Sequence, residues 1–169
     1  ACGVGDIDAD GYSDFAVTTS LGTFGYGLVI YQGSPAGPFA VYSYSNYPTL
    51  VRACAAGDVN GDGHDDVLLV YGGTVEIRCG PYMTNTYTVT STGSFGTNAQ
   101  AAGDVNGDGY DDVLVSAPNY DNGLGRAYLY LGSAAGLSPT AAWSAEPGPR
   151  GFGWPATTAG DVKGEGYHE

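Results

Sequence analysis

The chain has 169 residues, a formal net charge of −13 and 43% hydrophobic residues. This hydrophobic content excludes a disordered acidic chain, and the length suits one domain with a real core. The 5 Lys and Arg stand singly and no apolar run reaches about 18 residues, so we expect no nucleic-acid partner and no membrane insertion.

An acidic phrase, Gly-Asp-x-[Asp/Asn]-x-Asp-Gly-x-x-Asp, occurs three times and returns in altered form near the end of the chain. The four copies begin at Gly5, Gly57, Gly103 and Gly160. They contain all of the 18 Asp and Glu except Glu76, Asp121 and Glu146. The negative charge is therefore concentrated in four loops, here numbered 1 to 4, and is not spread over an acidic surface.

Short β-type segments surround these loops. Loops 1 to 3 each run straight into an apolar segment, and we predict strands at residues 15–20, 67–71 and 113–117. Further strands, separated by Gly-rich turns, are predicted at residues 27–31, 40–44, 74–78, 86–90, 99–102, 125–131 and 140–144. The loops start 52, 46 and 57 residues apart. Four short strands in each such period indicate an all-β fold, a β-propeller segment of four-stranded antiparallel blades.

The third unit carries a more specific pattern. It reads Phe95-Gly96, then 101–104 as Ala-Ala-Gly-Asp, then the loop and a strand that ends in Ala117-Pro118. This resembles the FG-GAP repeat of the integrin alpha-chain N-terminal propeller and its bacterial relatives. The fourth unit restarts with Phe152-Gly153, whereas the second lacks the Phe-Gly pair. We divide the chain into units 1–48, 49–92, 93–148 and a truncated 149–169, which is about three blades plus the start of a fourth.

The loops offer oxygen ligands at every second position, counted from the first Asp as position 1. Carboxylates or amides at positions 1, 3, 5 and 9 and a backbone carbonyl at position 7 suit a hard cation such as Ca²⁺. The predicted ligands are Asp6, Asp8, Asp10, Tyr12 and Asp14 in loop 1; Asp58, Asn60, Asp62, His64 and Asp66 in loop 2; Asp104, Asn106, Asp108, Tyr110 and Asp112 in loop 3. Three calcium sites are therefore expected.

Two other interpretations of the loops are weaker. An EF-hand needs Glu at position 12 and flanking helices, but that position holds Val17, Leu69 and Val115. Acidic turns held by Asx hydrogen bonds would leave several carboxylates repelling one another, which favours a bound cation. Loop 4, which starts at Asp161, has Lys163 at position 3, so we expect it to lack calcium.

The remaining polar and aromatic residues are expected to be structural. Asp65 and Asp111, at position 8, should point away from the ion into solvent. The position 7 tyrosines, Tyr12, Tyr110 and Tyr167, should pack between blades. Trp143 and Trp154 should pack in the core or between blades, although they could line a sugar site. Cys2, Cys54 and Cys79 should be buried free thiols, because equivalent positions in successive units are too far apart to bridge.

No catalytic motif is present, and we expect a protein that is not an enzyme. Both histidines, His64 and His168, lie inside the loops. The resemblance implies a secreted or cell-surface module, often adhesive, that recognises a protein or carbohydrate ligand. A lectin-like propeller and a non-catalytic accessory domain of a secreted hydrolase stay open as alternatives. Three units and a start cannot close the usual seven-bladed ring, so we expect either a fragment of a longer chain or head-to-tail assembly of several chains.

Overall fold

The computed structural model describes residues 1–90, 95–96, 98–146, 150–153, 156–157 and 159–160. Within these residues the chain forms three four-stranded antiparallel sheets, each a meander, which confirms the predicted propeller segment. Blade 1 consists of β1 (Cys2–Gly5), β2 (Asp14–Ser20), β3 (Tyr26–Gln32) and β4 (Phe39–Tyr47). Blade 2 consists of β5 (Arg52–Gly57), β6 (Asp66–Tyr71), β7 (Thr74–Arg78) and β8 (Thr86–Thr90). Blade 3 consists of β9 (Asn98–Gly103), β10 (Asp112–Ala117), β11 (Arg126–Tyr130) and β12 (Trp143–Ala145).

Most predicted strands fall on observed ones, but the last is displaced. It was predicted at residues 140–144, whereas β12 is Trp143–Ala145. The Ser138 hydroxyl donates a hydrogen bond to the Thr140 carbonyl at 2.8 Å, so the chain turns here before it can pair with β11. Two short helical turns, Gly22–Phe24 and Tyr120–Gly123, lie between the second and third strands of blades 1 and 3.

Loops 1 to 3 all connect the first strand of a blade to the second, so they occupy equivalent places. Near the start of each loop the strand register shifts, as a β-bulge does, and the bulge turns the chain out of the sheet. The glycine before position 1 has a positive φ in all three blades, a conformation that glycine adopts without strain. These glycines are Gly5 at 86°, Gly57 at 75° and Gly103 at 72°.

The core lies between neighbouring blades. Successive residues of a strand point to opposite faces, so β6 sends Val67 and Leu69 towards blade 1 and Leu68 and Val70 towards blade 3. All four side chains are buried, because the middle blade is covered on both faces. This double burial explains why the segment is a continuous apolar run in the sequence and does not alternate with polar residues.

The two blade interfaces differ in chemistry. Between blades 1 and 2, the buried Glu76 pairs with Arg78 at 2.6 Å and accepts a hydrogen bond from the Tyr71 hydroxyl. Tyr128 and Tyr130 occupy the equivalent positions of blade 3. Their rings pack edge-on against the ring of Phe95, at centroid distances of 5.4 and 6.2 Å. An ion pair in one interface and aromatic rings in the other make the blades non-interchangeable.

An aromatic side chain recurs on the fourth strand of every blade. Tyr42 donates a hydrogen bond to the Pro81 carbonyl of the next blade at 2.7 Å, and the ring of Tyr87 covers Gly136 of blade 3. Trp143 pairs with Leu129 at the same register position and is 50% exposed. At this exposure, the expected packing of Trp143 in the core or between blades is not confirmed. Trp154 lies outside the described residues.

The three cysteines are free, as predicted, and all lie within the described residues. Their expected burial is wrong for Cys2, which is exposed at the start of β1, while Cys54 is partly buried and Cys79 is buried.

We expect Gly132→Ala to lower the free energy of unfolding by about 2 kcal/mol, because overpacking of a tight interior contact has costs of this size. A Cβ atom at Gly132 would lie 2.7 Å from the Val59 carbonyl oxygen and 3.0 Å from Cβ of Tyr110. Urea denaturation measures the change. Gly3→Ala is the control, since its nearest neighbour, the Asp14 carbonyl, would be 4.0 Å away. Equal stability of the two variants would contradict the steric argument.

Candidate metal centre

Position 1 of each loop organises the loop around one carboxylate. In loop 2, Oδ1 of Asp58 accepts hydrogen bonds from the backbone N–H groups of Gly61 and Asp62 at 2.7 and 3.0 Å, and Oδ2 accepts one from Gly63 at 2.8 Å. Asp104 holds loop 3 in the same way, at 2.7, 3.1 and 2.8 Å. In both loops Oδ2 accepts only one of these hydrogen bonds and keeps a second lone pair, so an aspartate that shapes the loop can still bind a cation.

Loop 1 gathers three carboxylates at one point. Asp6, Asp8 and Asp14 each place an oxygen within 4.8 Å of the others. Asp6 also accepts hydrogen bonds from the backbone of Asp10 at 3.1 Å and of Gly11 at 2.8 Å, so its position is fixed by the loop itself. The sequence predicted these acids as ligands of one ion, and the structure brings them together.

Position 3 distinguishes loop 1 from the other two. In loops 2 and 3, the side-chain amides of Asn60 and Asn106 donate to the position 5 carboxylates, at 3.0 and 2.8 Å. Asp8 has no N–H to donate, and within the described part of the chain its buried Oδ1 has no hydrogen-bond partner. Burial, and then the nearby charges of Asp10 and Asp14, raise the pKa of Asp8. A backbone hydrogen bond from Asp10 lowers the pKa of Asp8 and offsets this negative charge only in part.

Position 9 has a structural role that the sequence did not predict. The Asp66 carboxylate is fully buried; Oδ2 accepts from the Val59 backbone at 3.1 Å, and Oδ1 accepts from Gly80 at 3.1 Å. Asp14 and Asp112 make the equivalent bonds, so each of these side chains joins its loop to the turn after the third strand. Burial raises the pKa of Asp66 to about 7, although the backbone donors lower it. A nearby cation would relieve this cost of burying charge.

Position 7 was predicted to supply a backbone carbonyl to the ion and, in two loops, a tyrosine that packs between blades. The carbonyl role of Tyr12, His64 and Tyr110 stays a prediction. The packing is confirmed for Tyr110, whose ring lies over Gly61 of the preceding loop, 2.5 Å from where a Cβ would stand. It is wrong for Tyr12, which is 45% exposed. Tyr167 lies outside the described residues, as do the other predicted features of loop 4 from Asp161 onward.

The prediction for position 8 is wrong. Asp65 and Asp111 were expected to extend into solvent, but both are partly buried and contact the preceding blade. Oδ2 of Asp65 accepts a hydrogen bond from the Asp6 backbone at 2.8 Å, and Oδ2 of Asp111 accepts one from Asp58 at 2.8 Å. The error has a simple cause, because the partners are distant in sequence and no local pattern brings them together.

Comparison with known families agrees with the repeats described above. A family model of the FG-GAP repeat matches residues 95–130, which hold Phe95-Gly96 and loop 3. A second model, of an FG-GAP-like repeat, matches residues 6–69, which hold loops 1 and 2. The chain belongs to the FG-GAP repeat family. No curated protein matches it significantly.

The Phe-Gly pair of an FG-GAP unit has a packing role at the blade interface. Phe95 is buried, and a Cβ on Gly96 would lie 3.1 Å from the Val75 side chain of the preceding blade. Gly153, in the fourth unit, lies against blade 3 in the same way, because a Cβ on Gly153 would lie 3.1 Å from Cβ of Ser116. The glycine therefore allows a close approach that a larger residue would prevent.

The second FG-GAP unit lacks this pair, and a tyrosine takes the aromatic place. Tyr47 is buried and packs edge-on against Tyr71, with ring centroids 4.9 Å apart. The Tyr47 carbonyl lies against Gly25, and the backbone of Phe152 lies against Gly125 in the same way. Tyr47 therefore occupies the place that Phe152 has in the fourth unit. The substitution escaped the sequence analysis because Tyr47 lies at the end of β4, outside the spacing of the motif.

The described residues include no helix with the length and apolar character that membrane crossing requires.

Proposed function

We propose that this FG-GAP chain is a calcium-binding segment of an extracellular β-propeller module, in which Ca²⁺ stabilises the blade loops and the module recognises a protein or carbohydrate ligand. The observation that carries the calcium proposal is the repetition of one loop scaffold. In loops 1 to 3 the position 1 carboxylate is held by the loop's own backbone N–H groups, so the oxygen donors are organised before any ion arrives.

The donors fit Ca²⁺. Every predicted side-chain ligand offers oxygen, and none of the three loops offers sulfur to the ion, which suits a hard cation. Ca²⁺ accepts 6–8 oxygens in flexible geometry, whereas Mg²⁺ demands a stricter octahedron. The buried Oδ1 of Asp8, which has no partner in the described part of the chain, is the atom that most needs a cation. When bound, Ca²⁺ would offset the repulsion within each loop.

Three calcium sites are proposed, one in each of loops 1 to 3. Loop 1 should bind most tightly, since it presents four carboxylates while loops 2 and 3 present three carboxylates and an asparagine. Loop 4 has Lys163 at position 3, where its ammonium would oppose a cation, and we propose that it binds none. Loops of this kind, with dissociation constants of order 10⁻⁴–10⁻³ M, suit the calcium concentration outside cells.

Recognition without catalysis is the second part of the proposal. The buried position 9 carboxylates already accept two backbone hydrogen bonds each, so they are poor candidates for general acid or base. Two of the three aromatic residues that recur at one position, Tyr42 and Tyr87, pack against the next blade and are not free to stack on a sugar, whereas Trp143 is half exposed. This arrangement favours an adhesive module over a lectin-like one. Screening the calcium-loaded protein on glycan and extracellular-matrix arrays would decide between them.

Isothermal titration of the metal-free protein with CaCl₂ tests the calcium proposal. We expect three sites per chain, and Asp58→Ala should reduce the count to two, because it removes both a ligand and the centre of loop 2. Titration with MgCl₂ is the control and should show weaker binding at every site. A wild-type protein that takes up no calcium at millimolar concentrations would refute the proposal.

A further inference from the structure

We propose that Asp65 and Asp111 are positioning residues that couple calcium binding in one loop to the docking of the next blade. The inference rests on the proposed calcium function, but neither residue is one of the proposed ligands. Each belongs to the blade that follows the loop it acts on. The neighbouring blade therefore holds the backbone of the first ligand of the calcium site.

The coupling contact is a pair of hydrogen bonds around ligand position 1. The Asp6 N–H donates to Oδ2 of Asp65 at 2.8 Å, and the Asp65 N–H donates back to the Asp6 carbonyl at 3.1 Å. Asp58 and Asp111 form the same pair at 2.8 and 3.1 Å. The arrangement therefore occurs at both interfaces between the described blades, and in both it holds the first calcium ligand by its own backbone.

The glycine that starts each acidic phrase leaves room for this contact because it has no side chain. A Cβ on Gly5 or Gly57 would overlap the carboxylate of Asp65 or Asp111 respectively. Both glycines also have a positive φ, 86° and 75°, which disfavours any larger residue. The glycine that starts one phrase and the position 8 acid of the next phrase thus fit each other across the interface, which gives this acid a specific partner.

Position 2 of the loop is held by the following blade as well. The Ser133 N–H donates to the Val59 carbonyl at 3.1 Å. The Ile7 carbonyl, its equivalent in loop 1, lies 2.5 Å from where a Cβ on Gly80 would stand. Positions 4 to 6, in contrast, are held within the loop by the position 1 carboxylate. The following blade therefore fixes the start of the loop, and the ion would fix its acidic turn.

Two agents that order the same residue assist each other. Calcium bound to the Asp6 side chain would fix the Asp6 backbone in the position in which it donates to Asp65. In return, the hydrogen bond to Asp65 would fix the Asp6 side chain in the position in which it binds calcium. Such coupling is reciprocal: if docking of blade 2 strengthens binding in loop 1, calcium in loop 1 strengthens docking of blade 2 by the same factor.

The experiment is a calcium titration followed by the backbone amide resonances of Gly11, Gly63 and Gly109, which report loops 1, 2 and 3 separately. In Asp65→Ala, the midpoint for Gly11 should rise on the order of tenfold, the effect of losing about one hydrogen bond. The midpoints for Gly63 and Gly109 should not move. In Asp111→Ala, only the midpoint for Gly63 should rise, so each interface tests the other if one variant fails to fold.

Two matched variants separate the hydrogen bond from charge and from position. Asp65→Asn keeps an acceptor oxygen and should stay near the wild-type midpoint, whereas an effect of charge alone would make it as weak as Asp65→Ala. Ser13→Ala changes the same loop position in blade 1, where a serine stands in place of the acid, and should leave all three midpoints unchanged.

Hydrogen exchange of the metal-free protein supplies a readout that does not involve calcium. The Asp6 amide should exchange faster in Asp65→Ala than in the wild type, because its acceptor is lost. A wild-type protein whose glycine amides respond to calcium, together with an unchanged Gly11 midpoint in Asp65→Ala, would overturn the coupling and leave the calcium proposal intact. Glycine amides that do not respond in the wild type would instead overturn the calcium function itself.

Discussion

Chelation of calcium is expected to lower the melting temperature of the protein by on the order of 10 °C. One site with a dissociation constant of 10⁻⁴ M contributes about 1.4 kcal/mol at about 1 mM free calcium, and three sites contribute about 4 kcal/mol. A domain of this size loses about 2–4 °C for each kcal/mol. The physical source is the repulsion between carboxylates within each loop, which is strongest in loop 1, where Asp8 lacks the amide that Asn60 and Asn106 provide. Calorimetry with and without EDTA measures the shift.

Two controls make this result specific. Adding excess calcium back should restore the melting temperature, and adding magnesium should restore it only in part. Asp8→Asn gives loop 1 the pattern of loops 2 and 3, so it should raise the melting temperature of the chelated protein while it weakens calcium binding. Identical melting curves with and without EDTA would show that the loops are stable acidic turns that need no cation.

The second large effect is expected at position 9. Asp66→Asn should lower the free energy of unfolding by about 2–3 kcal/mol, because one buried backbone N–H loses its acceptor and faces the new amide instead. The side chain is fully buried and accepts from both Val59 and Gly80, and an asparagine has only one oxygen to satisfy them. The loss should persist in EDTA, since it arises from hydrogen bonds within the protein. Urea denaturation in both conditions measures it.

Asp62→Asn is the matched control, because it makes the same chemical change at an exposed position of the same loop. In EDTA it should change the free energy of unfolding by less than about 0.5 kcal/mol. In calcium it should be less stable than the wild type, since it removes a ligand charge. If Asp66→Asn also lost stability only in calcium, position 9 would be a ligand alone and the hydrogen bonds would contribute nothing measurable.

Most of the blade architecture could be predicted from local sequence. The spacing of oxygen-bearing residues at positions 1, 3 and 5, with glycine at position 6, is a property of a short turn, and the structure shows Asp58 and Asp104 organising such turns. The strands were predictable because turn residues separate short apolar runs. The last strand was misplaced because Ser138 closes a turn that competes with pairing to β11.

The contacts between blades were not predictable in this way. Tyr47 replaces the missing Phe-Gly pair from outside the motif, and only its edge contact with Tyr71 shows the equivalence. The position 8 acids looked solvated because Ser13 stands at the same place in loop 1. That comparison failed because the partners of Asp65 and Asp111 lie in the preceding loop, 59 and 53 residues away in the sequence.

By itself the sequence determined the repeated unit: four strands, one acidic loop and the oxygen donors that a hard cation would use. These features depend on residues within about ten positions of one another, where spacing decides geometry. Only the tertiary structure showed that each loop belongs to two blades. Asp65 lies 59 residues from Asp6, yet it holds the backbone of that first ligand, because stacking the blades brings the end of one loop against the start of the one before.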